Sequence, residues 1–170
     1  MSRGADVILG SRNEPIVSRA SLAEAAEILA LQKLAYASEA AIYNDFSIAP
    51  LLQTEDEMRA DLELKMVLKA TLDGRIVGSV RAFEREGVCH IGRLVVEPTL
   101  QNRGLGRRLL GEIERLFSLA QRFELFTGHR SERNLHLYRK LGYIERRVEK
   151  VTDTRSLVFL QKENGSRGAD

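Results

Sequence analysis

Between Leu94 and Leu109 the hydrophobic period of the chain changes from two to about 3.6, and Gly104 and Gly106 sit where it changes. Leu94-Val95-Val96-Glu97-Pro98 reads as the close of a strand. Beyond the glycines, Leu105, Leu109, Ile113, Leu116 and Phe117 recur at three- and four-residue spacing with charged residues between them, which predicts an amphipathic helix. The start of a helix leaves four N–H groups without an intrahelical partner, and the aligned peptide dipoles add positive charge there. Glycines let a ligand approach that backbone closely. The stretch is therefore an anion site matched to phosphate, with Arg103, Arg107 and Arg108 as charges at its rim.

Two common phosphate motifs do not fit. A nucleotide P-loop needs a Gly-Lys pair, and the loop has none. A dinucleotide fingerprint needs a third glycine where Leu109 stands, and a βαβ context where this chain has hairpins. The hairpins are read from Met66 to Val96. Met66, Leu68, Ala70 and Leu72 alternate with more polar neighbours, Asp73-Gly74 is a type I′ turn signal, and Arg85-Glu86-Gly87 turns the chain again. Upstream, a short strand is expected at Ile16–Ala20. Ser21 with Glu24 and Thr54 with Glu57 are capping boxes opening helices to about Tyr36 and Leu64, separated by an irregular connection over 37–53. Downstream, a strand at Phe123–Thr127 and a helix at Ser131–Leu141 with Gly142 just past its end are expected. Two strands, Tyr143–Val151 and Leu157–Leu160, follow. The order β-α-α-β-β-β-α-β-α-β-β predicts an α+β fold, a mixed and mostly antiparallel central sheet with helices on both faces.

With 170 residues and no linker or long repeat, the chain reads as one domain over 15–161, flanked by loose segments at 1–14 and 162–170. Ser-Arg-Gly-Ala-Asp occurs in both segments, at 2–6 and 166–170, and has no physical account. The 26 basic and 24 acidic side chains are too evenly balanced for the basic stripe of a nucleic-acid binder. No apolar run approaches the ~18 residues of a membrane span, and 1–14 lacks the apolar core of a secretory signal. A single cysteine, Cys89, excludes an intramolecular disulfide and fits a reducing, cytoplasmic location. His90, His129 and His136 are too few and too scattered to support a metal site.

The run Gln101-Asn102-Arg103-Gly104-Leu105-Gly106, preceded by Leu94-Val95-Val96-Glu97-Pro98, resembles the signature of the GNAT superfamily of acyl-CoA N-acyltransferases. The resemblance extends to Asn134-Leu135-His136-Leu137-Tyr138-Arg139-Lys140-Leu141-Gly142-Tyr143, similar to the family's second cofactor segment, and the element order agrees from about residue 16 to 160. It implies a sheet split between the fourth and fifth strands with acyl-CoA in the opening. Loop amides would meet the pyrophosphate, and the strand before the loop would hydrogen-bond the pantetheine. Carried onto this chain, the cofactor-binding residues are Leu94, Val95, Val96, Gln101, Asn102, Arg103, Gly104, Leu105, Gly106, Arg107, Asn134 and Tyr138. The implied cosubstrate is acetyl-CoA.

Tyr138, where the family places a tyrosine for the task, is the expected acid that protonates the departing thiolate. Glu97, beside the loop, is the expected base acting through water, ahead of Glu84, His90 and Glu39. Backbone N–H groups near Val95 are expected to polarise the thioester carbonyl. Tyr36, Glu39, Tyr43 and Asp45 mix acid and aromatic groups suited to a cationic amine and are expected on the acceptor side; the family's corresponding segment shapes that pocket. Cys89 is read as a small buried hydrophobe. The expected activity is acetyl transfer to a primary amine of a small molecule or protein, by direct attack in a ternary complex. The alternative is a non-catalytic acyl-CoA sensor of the same fold. The acceptor, the acyl preference and the oligomer stay open, a homodimer being the commonest soluble assembly.

Overall fold

The computed structural model describes residues 13–165. Both copies of the repeated pentapeptide lie outside the described residues. The chain runs β1 (Ile16–Arg19), α1 (Ala25–Tyr43), α2 (Ala49–Leu52), α3 (Glu55–Leu64), β2 (Met66–Leu72), β3 (Arg75–Arg85), β4 (Val88–Val96), α4 (Leu105–Leu116), β5 (Arg122–Gly128), α5 (Glu132–Lys140), β6 (Ile144–Lys150) and β7 (Ser156–Glu163). Single 3₁₀ turns at Leu22–Glu24 and Pro98–Leu100 lead into α1 and the glycine loop. The strands form one sheet in the order β1-β2-β3-β4-β5-β7-β6, antiparallel everywhere except between β4 and β5. This is the mixed α+β fold expected from the sequence.

The local signals act as their chemistry dictates. Asp73 and Gly74 take φ of 49° and 76°, and Glu86 and Gly87 take 51° and 80°, so both hairpins close on left-handed residue pairs. The Glu24 carboxylate accepts from the Ser21 amide at 2.9 Å, and the Thr54 hydroxyl accepts from the Glu57 amide at 3.2 Å.

Period-two alternation sends neighbouring residues to opposite faces. Val67 packs with Ile28, Leu29 and Leu31 of α1 and Met58 and Leu62 of α3. Leu68 packs on the other face with Leu109, Leu110 and Ile113 of α4 and Leu135 and Tyr138 of α5. Helices thus cover both faces.

Two boundaries differ from expectation. The first long helix does not stop near Tyr36 but continues to Tyr43 and ends at Asn44, whose φ of 48° is the left-handed cap that Asn tolerates. Ala-Ser-Glu-Ala-Ala over 37–41 offers nothing that breaks a helix, and a further short helix, α2, follows within the expected connection. At the other end, β7 runs to Glu163, which pairs with Arg122, so residues 162 and 163 of the expected tail belong to the sheet.

Candidate active site

β4 and β5 pair only from Val88–Arg122 to His90–Glu124 and then part. β4 also carries a bulge. Arg81 faces Gly92 and Ser79 faces Val95, which leaves Arg93 and Leu94 opposite Val80, with Arg93 at a φ of 52°. A bulge bends its strand and interrupts the ladder, here where β4 leaves its neighbour. The split predicted between the fourth and fifth strands is present. A cleft of about 1220 Å³ lies there, walled by α1, the end of β4, the glycine loop and α5.

The glycine loop supplies one wall. Asn102 at a φ of 62° and Gly104 at 83° turn the chain into α4, and no side chain caps that helix. Its first amides are left for a ligand, since the earliest amide in this turn with a helical partner is that of Arg108, bonded to Gly104 at 3.1 Å. A Cβ on Gly106 would stand 3.3 Å from Leu137 Cδ2 and 3.8 Å from Leu94 Cδ2. Only a bare backbone leaves the space between α4 and α5 free, so the loop fits a phosphate-bearing ligand. The Gln101 side-chain amide donates to the Val96 carbonyl at 3.3 Å and ties the loop to the strand.

Of the expected cofactor residues, Leu94, Val95, Val96, Gln101, Asn102, Gly104, Leu105, Gly106, Arg107 and Asn134 line the cleft. Asn134 also donates from its side chain to the Thr127 hydroxyl at 3.2 Å, joining α5 to β5. Arg103 is exposed and outside the lining, and Arg108 turns away to the Pro15 carbonyl at 2.8 Å.

The Tyr138 ring is in the core, 5% exposed, and not itself in the lining. Among the described residues its hydroxyl makes no hydrogen bond. Burial, with the electrostatic influence of Tyr36 and Glu39, holds that phenol above its ordinary pKa, so it keeps its proton at neutral pH. Tyr36 and Glu39 line the cleft, so the hydroxyl end of Tyr138 lies within electrostatic reach of it. Burial likewise raises the Tyr36 phenol, against the pull of Arg93, whose guanidinium lies 6.0 Å from that ring.

The remaining expected residues are dispersed. The Glu97 carboxylate accepts from the Thr99 hydroxyl, and the residue is not in the lining. Tyr43 is 5% exposed and accepts from the Arg130 amide at 2.8 Å. Asp45 is held in its own turn by the Ser47 amide at 2.9 Å and by the Ser47 hydroxyl. Among the other base candidates, Glu84 is exposed on β3, and His90 Nδ1 sits 3.8 Å from Glu124 Oε2 where the strands part. Cys89 is fully buried, and burial pushes its thiol up to about 12. A thiol so protonated at neutral pH is no nucleophile.

Several lining residues had no place among the expected site residues, among them Ile42, Arg130, Ser131 and Arg133, while His136 and Lys140 belong to the segment that resembles the family's second cofactor segment. Arg133, His136, Leu137 and Lys140 recur at helical spacing on one face of α5, a signal present in the sequence. Ser131, bonded to Glu39 of α1, stands at one end of this wall, and Lys140 is nine residues on, about 13 Å along a helix. Glu39 and Arg130 line the α1 end, Glu132 follows at the start of α5, and Arg107, Arg133, His136 and Lys140 lie toward the glycine loop and along α5.

The acetyltransferase (GNAT) family matches residues 27–143. No curated protein matches the chain. Solved structures do. A GNAT-family acetyltransferase from Streptococcus pneumoniae is 22% identical with a TM-score of 0.68, over 88% of this chain and 99% of that one. The PaiA N-acetyltransferase of Thermoplasma acidophilum, in complex with coenzyme A, is 15% identical with a TM-score of 0.69, over 89% and 99%. A phosphinothricin acetyltransferase from Sinorhizobium meliloti, in complex with AcCoA, is 15% identical with a TM-score of 0.72, over 89% of each chain. At these identities the structures establish the shared fold, while the family match spans more than half of the chain. A glycine loop opening an uncapped helix, a bulged strand and a sheet split beside it are carried by the matched residues, and the chain belongs to the acetyltransferase (GNAT) family.

Proposed function

We propose that the protein is an acetyl-CoA-dependent N-acetyltransferase acting on a primary amine, of a small molecule or of a peptide. The observation that carries this reading is the cleft beside the split between β4 and β5, lined by the bulged end of β4, by the loop and first residues of the uncapped α4, and by α5. Acetyl-CoA bound there would supply an activated acetyl thioester. The amides of Leu105, Gly106 and Arg107 take the pyrophosphate, and Arg107, Arg133 and Lys140 balance the remaining negative charge. The backbone of Leu94–Val96 lies alongside the pantetheine arm, where its N–H groups can polarise the thioester carbonyl.

Chemistry follows by direct attack. The acceptor nitrogen, having lost a proton, forms a bond to the carbonyl carbon. The C–S bond of the tetrahedral intermediate then breaks, and the Tyr138 hydroxyl protonates the departing sulfur. Glu39 is the half-buried carboxylate in the lining and takes the amine's proton directly, whereas Glu97, outside the lining, would act through water. Buried Cys89 has no part.

The test is release of free thiol from acetyl-CoA across a panel of primary amines and peptides, alongside calorimetric binding of acetyl-CoA. Binding with amine-dependent thiol release is the expected result. Binding without release from any acceptor would make the chain an acyl-CoA sensor, and no binding would end the reading altogether.

A further inference from the structure

Ser131 occupies the N-cap position of α5, yet its side chain makes no capping bond. Ser at this position ordinarily accepts from the second or third helical amide. Here the hydroxyl, on a residue only 3% exposed, donates to Glu39 Oε1 of α1 instead. The Tyr43 hydroxyl lies 3.5 Å from Ser131 Oγ and accepts from the neighbouring Arg130 amide at 2.8 Å. Gly128 makes room for this joint, because a Cβ there would stand 2.9 Å from Glu39 Oε1.

Ser131 is the hydrogen-bond partner the Glu39 carboxylate has among the described residues, and no cation pairs with it there. A carboxylate held by one neutral hydroxyl has unused acceptor capacity, and Glu39 lines the cleft. Tyr36 and Ile42, three residues to either side of it on α1, line the same cleft with Leu94 of β4, and the Arg130 guanidinium there donates to the Ile42 carbonyl at 3.3 Å.

Resting on the reading of the cleft given above, we infer that Ser131 and Tyr43 are positioning residues that hold Glu39 to receive the ammonium head of a protonated primary amine with an apolar substituent. Ser131 fixes one carboxylate oxygen, and Tyr43 fixes the backbone that carries Ser131. The other oxygen faces the acceptor, and the apolar walls take its alkyl or aryl group. The helix cap is forgone so that α1 and α5 share one polar joint at the acceptor end.

The test is a binding measurement that needs no turnover. Phenethylamine, butylamine and a tripeptide amide with a free N-terminus are titrated calorimetrically into protein saturated with CoA. O-benzylhydroxylamine, which is neutral at neutral pH, is the uncharged comparison. The wild type should bind at least one cationic amine more tightly than the neutral probe. Ser131→Ala should weaken that binding about tenfold, the scale of a lost hydrogen bond to a charged group. It should leave the neutral probe and CoA itself unaffected, and Ser131→Thr, which restores the hydroxyl, should recover the loss. Glu39→Gln, of nearly the same shape, should abolish the preference for the cation and decides the matter if Ser131→Ala does not fold. Equal binding of cationic and neutral probes by the wild type, or an undiminished preference in Glu39→Gln or Ser131→Ala, would overturn the inference. Failure of the catalytic reading appears separately, as bound amine without thiol release.

Discussion

Tyr138 combines two properties that are seldom found together, a ring at the centre of the core and a hydroxyl with no hydrogen-bond partner among the described residues. Its oxygen is not among the fully enclosed side-chain atoms left without a partner, so the hydroxyl keeps access to solvent and no neighbour among the described residues competes for its proton. Tyr138→Phe preserves the ring and its packing beside Tyr143, whose centroid is 6.1 Å away. The variant should therefore melt no lower than wild type, while kcat falls ~10-fold or more, toward the ~10²–10⁴ range of a lost general acid. Thermal unfolding and steady-state kinetics read the two effects separately. A lower melting temperature with unchanged kcat would make the hydroxyl a structural group. Glu97, the expected base, lies outside the cleft lining and accepts from the Thr99 hydroxyl.

At the scale of elements, two glycines do different work. Gly106 keeps α4 from filling the space it shares with Leu137. Gly106→Val adds atoms against the flexible ends of Leu137 and Leu94, which both line the cleft, so it should block the loop while the fold survives. Acetyl-CoA should raise the melting temperature of wild type by mass action, and that shift should vanish in the variant. An undiminished shift would sink the phosphate assignment. Gly128 serves the joint between β5 and α1. A Cβ there would stand 2.8 Å from Tyr43 Cζ and closer still to its hydroxyl. Gly128→Ala must displace Tyr43 from the Arg130 amide, and a loss of about 1–3 kcal/mol is expected, the usual scale of overpacking. Denaturant unfolding measures it.

Across the whole molecule, the α1 face of the sheet is organised around a buried cation. Arg81 of β3, 5% exposed, donates to Asp61 of α3 at 2.6 Å, to Gln32 of α1 at 2.8 Å and to Gln53 at 3.0 Å. Burial pulls its guanidinium down to about 10, against the support of Asp61, so it remains charged at neutral pH. The network fixes α1 and α3, and with them the acceptor wall of the cleft. Burial works to raise the Asp61 carboxyl, but the Arg81 charge and hydrogen bonds from Lys65 and Gln53 outweigh it and hold the group below its ordinary pKa. Its contribution is therefore complete above the usual carboxylate range and is lost as the pH falls through the lower folded value. Asp61→Ala leaves a buried cation unpaired and should cost about 3 kcal/mol at neutral pH. Its stability should also fall less steeply than that of wild type at acid pH. Urea unfolding at neutral and acid pH tests both, and parallel pH profiles would refute the assignment. Among the described residues no helix is long and apolar enough to cross a membrane.

What the sequence determined by itself was local. Left-handed pairs at Asp73-Gly74 and Glu86-Gly87, caps at Ser21 and Thr54, and the change of period at Gly104 each depend on a few consecutive residues. They could be read without knowing what lies opposite. Helical spacing of Tyr36, Glu39 and Tyr43 was equally local, and with the helix continued to Asn44 it places them on one side of α1. Tertiary structure alone decided which of these side chains reach the cleft. Tyr43 is drawn to an amide 87 residues away and does not line the cleft, while Tyr36 and Glu39 do, Glu39 with one oxygen bonded by a hydroxyl 92 residues away. Arg81, which reads in sequence as one more polar strand residue, is buried only because three helix-side partners from two distant segments converge on it. Partnership across such separations depends on strand order and helix docking, and no pattern of neighbours along the chain encodes it.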